Sequence, residues 1–156
     1  MVRDGRALTQ GETDMARSVF GDAIDYGRVR LIRRRWWPFQ PKGIVMAPTG
    51  NIHFHPADPG WREDFSIADW PLQGLFIHEM THVWQAQRAG RFYLPLMRHP
   101  FCRYAYSYRN GRPFLRYGLE QQAELVRHAF LQRRGIMPRN SAQLAEIELI
   151  LPFSQG

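Results

Sequence analysis

The chain has 156 residues, 44% of them hydrophobic, and a formal net charge of +7 that rests almost wholly on arginine, Lys42 being the single lysine. This length makes one domain spanning residues 1–156 the expectation and suffices to bury a core without staples. The single cysteine, Cys102, excludes an internal disulfide frame and any zinc site built on cysteines. The N-terminal MVRDGRALTQ has no apolar signal core, and no run approaches the length of a membrane span. The expected protein is therefore soluble, without a signal peptide and cytoplasmic at synthesis, with later delivery left open. Basic charge raises nucleic acid as a partner. The arginines are nevertheless spread from Arg3 to Arg139, and only Arg33, Arg34 and Arg35 cluster tightly.

Residues 8–20, LTQGETDMARSVF, predict an opening helix: Thr9 and Glu12 form a capping box, Met15, Ala16, Val19 and Phe20 give an apolar face, and Gly21 supplies the stop. Residues 26–32 alternate Val29 and Leu31 against Arg28 and Arg30, the pattern of a half-exposed strand. Two tryptophans and two prolines break regularity between Arg33 and Pro41. Trp36 and Trp37 beside three arginines fit packing at the core or its rim better than stacking on bases or a membrane. Residues 43–55 then read as a hairpin, Ile44–Met46 against Asn51–His55 around a Pro48-Thr49-Gly50 turn. His53 and His55 share one face of that second strand, expected to be exposed and close to the active site, and able in principle to bind metal. An edge strand here would also suit pairing with an extended peptide.

A Pro-, Asp- and Gly-rich loop leads to the strongest helical stretch, capped by Ser66 or Asp69, carrying Pro71 early and ending at Gly90. Phe76, Met80 and Val83 mark its core stripe, and Leu75, His78, His82 and Gln85 lie along another side. Within FIHEMTHVWQ, His78, Glu79 and His82 form the HExxH pattern. Four residues advance a helix by about 400° and roughly 6 Å, so both imidazoles reach one ion from the same face. Zinc suits such donors, and a catalytic zinc keeps three protein ligands and an open position for water. Glu79 beside that position has the role of general base. Gln85 is expected to support the histidines or pack rather than to ligate.

A metzincin would place a histidine at position 88, where this chain has Arg88, so the third ligand lies further on. His99, Glu120, Glu124 and His128 are the candidates. Residues 118–130, GLEQQAELVRHAF, predict a helix on which Glu120 and Glu124 stand one turn apart. Two helices crossing with His, His and Glu on facing sides make the His₂Glu set, with Glu120 as ligand, Glu124 accepting the spare ring N–H of a zinc histidine, and His99 as the alternative ligand. His128 reads as structural. Tyr104, Tyr106, Tyr108 and Tyr117 are the available donors for an oxyanion. Near the C-terminus, Ser141 should cap a short helix running to about Ile150.

HEMTHVWQ followed by GLEQQAELV resembles the small gluzincin-type domains found in bacteria beside toxin-delivery and contractile-injection proteins, the Rhs/Vgr-related group. The similarity includes the opening LTQGETDMARSVFGDAIDYGRVRL and extends to about Arg134. In gluzincins the third ligand comes as ExxxD or ExxAD on a later helix, and here Glu120 to Glu124 match that spacing with Glu124 in place of aspartate. The resemblance implies zinc and a peptidase-like fold. The expected architecture is α+β and zincin-like: a small N-terminal antiparallel sheet or hairpin packed on a central HExxH helix, then a helical C-terminal half carrying the third ligand. The expected function is a zinc-dependent metallopeptidase acting on a peptide or protein substrate. The alternatives are a catalytically silent zinc-binding module of a delivery apparatus and a nucleic-acid-associated protease.

Overall fold

One helix, buried on every side along its middle, sets the arrangement of everything else in the computed structural model, which describes residues 5–90, Leu94 and 103–153. This helix, α2 (Trp70–Ala89), follows the first strand β1 (Gly5–Ala7), helix α1 (Gln10–Phe20), and strands β2 (Arg30–Ile32) and β3 (Ile52–His53); it precedes helices α3 (Leu119–Gln132) and α4 (Leu144–Glu148). All eleven residues from Phe76 to Ala86 are buried. The expected core and polar sides of α2 are thus both covered. Phe76 stacks on Phe65 on one side, while α3 crosses the side that carries the histidines.

The ends of α2 follow from local chemistry. Asp69 caps it through its carbonyl, which accepts the Leu72 and Gln73 amides, and Pro71 occupies the first turn where its missing N–H costs nothing. Gly90 closes it at φ +101°, a left-handed conformation that favours glycine. Ser66, the other expected cap, instead belongs to a 3₁₀ turn over Phe65–Ile67 that Asp64 caps.

Helix α1 carries the expected capping box: Thr9 Oγ1 accepts from the Glu12 amide at 3.0 Å, and Glu12 Oε2 accepts from the Thr9 amide at 2.9 Å. Glu12 is fully buried and does more than cap. Its carboxylate also takes two 2.8 Å bonds from Arg6 and the Phe65 amide at 2.9 Å, tying β1, α1 and the approach to α2 together. Such a buried carboxylate is tolerable because every lone pair finds a donor.

The sheet departs from the expected antiparallel hairpin. β1 pairs antiparallel with β2, but β3 pairs parallel with β2, Leu31 facing Ile52. The expected strand at 44–46 reduces to one antiparallel bridge between Met46 and His53. Gln40 explains the loss: its buried side-chain amide donates at 2.7 Å to Ile44 O, the acceptor the next rung would use, and at 3.1 Å to His53 O, which still accepts the Met46 amide of the bridge. Residues 26–28 form a 3₁₀ turn, so β2 is shorter than the alternation suggests, although Val29 and Leu31 do point inward.

Near the C-terminus, α4 is a single short turn of helix capped at Gln143 rather than Ser141, and it ends before Ile150. The Ser141 hydroxyl is engaged elsewhere, accepting from Gln132 Nε2 and reaching Met137 sulfur. Phe153 beyond it completes an aromatic cluster with Phe20, Trp84 and Phe114. Among the described residues no helix is long and apolar enough to cross a membrane.

Candidate metal centre

The crossing of α2 and α3 brings His78, His82 and Glu120 together, with Nε2 of each histidine 3.1 Å from the same oxygen, Glu120 Oε2. All three side chains are buried, and one donor atom from each lies within 4.8 Å of the others. Among the described residues this is the only group of three such donors that converges.

The outer ring nitrogens determine what the inner ones can offer. Gln85 donates its amide hydrogens to Leu119 O and Gln122 Oε1, which leaves Gln85 Oε1 as an acceptor 2.8 Å from His82 Nδ1. His82 Nδ1 must therefore carry a hydrogen, and Nε2 keeps its lone pair. On the other imidazole, Glu124 Oε1 lies 2.8 Å from His78 Nδ1 and likewise takes a hydrogen there. In the neutral tautomers two nitrogen lone pairs and a carboxylate oxygen meet in one buried space. Three acceptors without a donor repel one another unless a cation lies among them. The site's preference for positive charge shows in His78: burial pushes its pKa down, but Glu120 and Glu124 overcome this and raise it to about 9, so that without an ion a proton on His78 supplies the charge. The residues present fit a divalent metal held by two nitrogens and one oxygen.

Glu124 extends the network outward. Its other oxygen, Oε2, lies 3.4 Å from His128 Nε2, and Tyr106 Oη lies 2.6 Å from His128 Nδ1 while accepting the Ala142 amide at 3.1 Å. Burial works against ionisation of Glu124, yet His128 and His78 hold its carboxyl well below the usual range. His128 read as merely structural in the sequence; it is part of this chain of contacts. Arg127 was not singled out, although both it and His128 stand at the helical partner spacings from Glu124.

His78 and Glu79 open on a cleft of about 400 Å³ that Val45, Leu75, Tyr104 and Arg127 also line. Tyr104 stacks on His78 with ring centroids 5.8 Å apart. Of the four tyrosines considered, it alone lines the cleft: Tyr106 serves His128, and Tyr117 Oη accepts the Arg109 amide. A second cavity of similar volume lies near the end of α2 between Arg28, Asn51 and Gln87, and it contains none of the converging donors.

His53 and His55 do not present an exposed face. Both are buried, with His53 Nδ1 3.2 Å from Arg34 O and His55 Nε2 2.8 Å from Arg35, and neither joins the donor group. Their strand ends at His53, too short to carry the expected two-residue alternation, and the chain turns after His55, whose carbonyl accepts the Asp58 amide. His99 lies outside the described residues.

No family model matches the chain. Over 140 residues it is 43% identical to the type VI secretion system spike protein VgrG2b of Pseudomonas aeruginosa, a match that covers 83% of this chain and 13% of that protein. The chain thus spans only a small part of its curated relative's length. The solved structure of the effector domain of Pseudomonas aeruginosa VgrG2b superposes with a TM-score of 0.76 at 37% identity, covering 94% of this chain and 82% of that one.

Proposed function

This chain belongs to the family of the VgrG2b effector domain, and on that premise we propose that it is a zinc-dependent peptidase carried by a delivery apparatus of the VgrG type. The observation that carries the reading is the convergence of His78, His82 and Glu120 beside Glu79 at the wall of an open cleft. A purely structural metal site has no need of a cleft or of a neighbouring carboxylate outside the ligand set.

His78 and His82 would hold the ion from one face of α2 and Glu120 from α3. Two nitrogens and an oxygen in a buried three-donor set suit zinc above harder cations such as magnesium or calcium, which take oxygen ligands. When bound, zinc polarises a carbonyl and lowers the pKa of water toward neutrality. Glu79 takes the proton of the attacking water and passes it to the leaving amine. Glu124 and Gln85 keep the imidazoles in the tautomer that leaves Nε2 free to ligate. Tyr104, which lines the cleft, would donate its hydroxyl hydrogen to the developing oxyanion. The zincin-like description of the fold rests on this same assignment.

The test is peptide-library cleavage by the wild type and by Glu79→Gln, with zinc content measured on the same samples. Cleavage lost in Glu79→Gln while zinc is retained supports a peptidase; the expected loss is about 10²–10⁴-fold. Zinc in both proteins with cleavage by neither would instead leave a metal-stabilised interaction module.

A further inference from the structure

Three exposed aromatic residues of this protein, Trp36, Trp37 and Phe39, lie in a stretch rich in positive charge and free of acids. Residues 26–57 contain Arg28, Arg30, Arg33, Arg34, Arg35 and Lys42 and no acid, a net charge of +6. Within that segment every residue from Arg33 to Ile44 is exposed except Gln40. Trp36 and Trp37, which the sequence suggests for the core or its rim, are 41% and 42% exposed, Phe39 is 77% exposed and Ile44 is 49% exposed.

This loop is fixed from within. The Gln40 amide accepts from the Trp36 backbone N–H at 2.8 Å and donates to Ile44 O and His53 O, while Arg35 donates to Pro38 O. The Gly43 amide donates to Asp58, whose carboxylate is buried and also takes the Gly60 amide, so the nearest following acid is turned inward. A single polar side chain thus turns in while four large apolar ones turn out, and they are ordered before any partner arrives. Exposing that much aromatic surface against the hydrophobic effect marks a contact surface.

We propose that the loop 33–44 is an interfacial anchor for an anionic phospholipid bilayer. Trp36, Trp37, Phe39 and Ile44 enter the headgroup region, and Arg33, Arg34 and Lys42 meet lipid phosphates. Tryptophan beside arginine is the composition that region favours, an amphipathic ring between apolar and charged layers. Single-stranded nucleic acid is the lesser match, because base stacking needs open ring faces. Trp37 and Phe39 are already in edge-to-face contact at 5.6 Å, and Ile44 offers a base no stacking surface. Ile44 also borders the cleft of the metal centre, so docking in this manner brings the cleft mouth to the bilayer surface.

The experiment is cosedimentation of the full chain with phosphatidylethanolamine–phosphatidylglycerol vesicles and, separately, with phosphatidylcholine vesicles, for the wild type, Trp36→Ala/Trp37→Ala and Arg34→Gln/Lys42→Gln. All four positions are exposed, and unchanged melting curves establish that the variants fold. The wild type should bind the anionic vesicles, with a salt-sensitive partition and a blue shift in tryptophan emission. The arginine–lysine variant should lose about fivefold per cation, and the double tryptophan variant should lose the blue shift and at least about tenfold in binding. Absence of binding to anionic vesicles, or equal binding to both vesicle types, would overturn the proposal. So would salt-sensitive capture of a single-stranded oligonucleotide by a protein that ignores vesicles.

Discussion

His82 Nδ1 and Gln85 Oε1 stand 2.8 Å apart, and because both amide hydrogens of Gln85 are spent on Leu119 O and Gln122 Oε1, this contact leaves the imidazole one tautomer. Replacing Gln85 by Leu removes the acceptor without removing a ligand. Metal affinity should fall about 10–100-fold, the range for loss of a partner that orients a ligating histidine, as read by competition with a chromophoric chelator. Unchanged affinity would mean that His82 is held in place by packing alone.

The contact between Tyr106 Oη and His128 Nδ1 at 2.6 Å closes the outer end of the same network. Tyr106→Phe strips partners from His128 and from the Ala142 amide at once. The expected destabilisation is about 1–3 kcal/mol per unsatisfied buried group, measured by urea denaturation. Zinc content should change little, since Glu124 keeps its contact with His78.

Far from the cleft, Glu12→Ala should be the most damaging change in the N-terminal part. Its carboxylate receives Arg6, the Thr9 amide and the Phe65 amide in a fully buried position. Its loss leaves the Thr9 and Phe65 amides without their acceptor, at about 1–3 kcal/mol per buried group, and part-exposed Arg6 without its ion pair. Thermal melting would read this as a fall well beyond that of a surface substitution such as Glu148→Ala.

Stripping the metal should loosen the crossing of α2 and α3, because the ion's bonds to His78, His82 and Glu120 are then replaced by no more than hydrogen bonds of a protonated imidazole to Glu120 Oε2. Zinc at a hundred times its dissociation constant stabilises by about 2.7 kcal/mol, or roughly 5–10 °C in a domain of this size. Differential scanning calorimetry before and after chelation, with zinc added back, measures it. Ligating imidazoles must be neutral, so the zinc-dependent increment should shrink as pH falls.

The elements with a strong local signature were legible in the sequence. The Thr9–Glu12 capping box, the helices around His78 and Glu120, and the Gly21 and Gly90 stops all stand where local chemistry puts them. The separation of four between His78 and His82 requires only a helix, and a helix formed. The sheet was less legible, because Ile52 pairs in parallel with Leu31 from 21 positions away and Gln40 takes the Ile44 carbonyl that a longer hairpin would use. Nothing local announces that a glutamine side chain will replace a ladder rung. Ser141 illustrates the converse failure: a good capping residue was taken up by Gln132 and Met137, and Gln143 took its place. Exposure of Trp36 and Trp37 was equally invisible, since aromatic composition favours burial and only the tertiary anchoring of Gln40 turns them outward.

Metal stoichiometry tests the central claim most directly. The chain is stripped with chelator, reloaded with zinc, freed of excess by gel filtration and analysed by mass spectrometry beside Glu120→Ala. The account predicts one zinc per wild-type chain and its loss in Glu120→Ala, with the variant still folded by circular dichroism. A wild type that retains no metal, or a Glu120→Ala protein that holds zinc as tightly as the wild type, would contradict it.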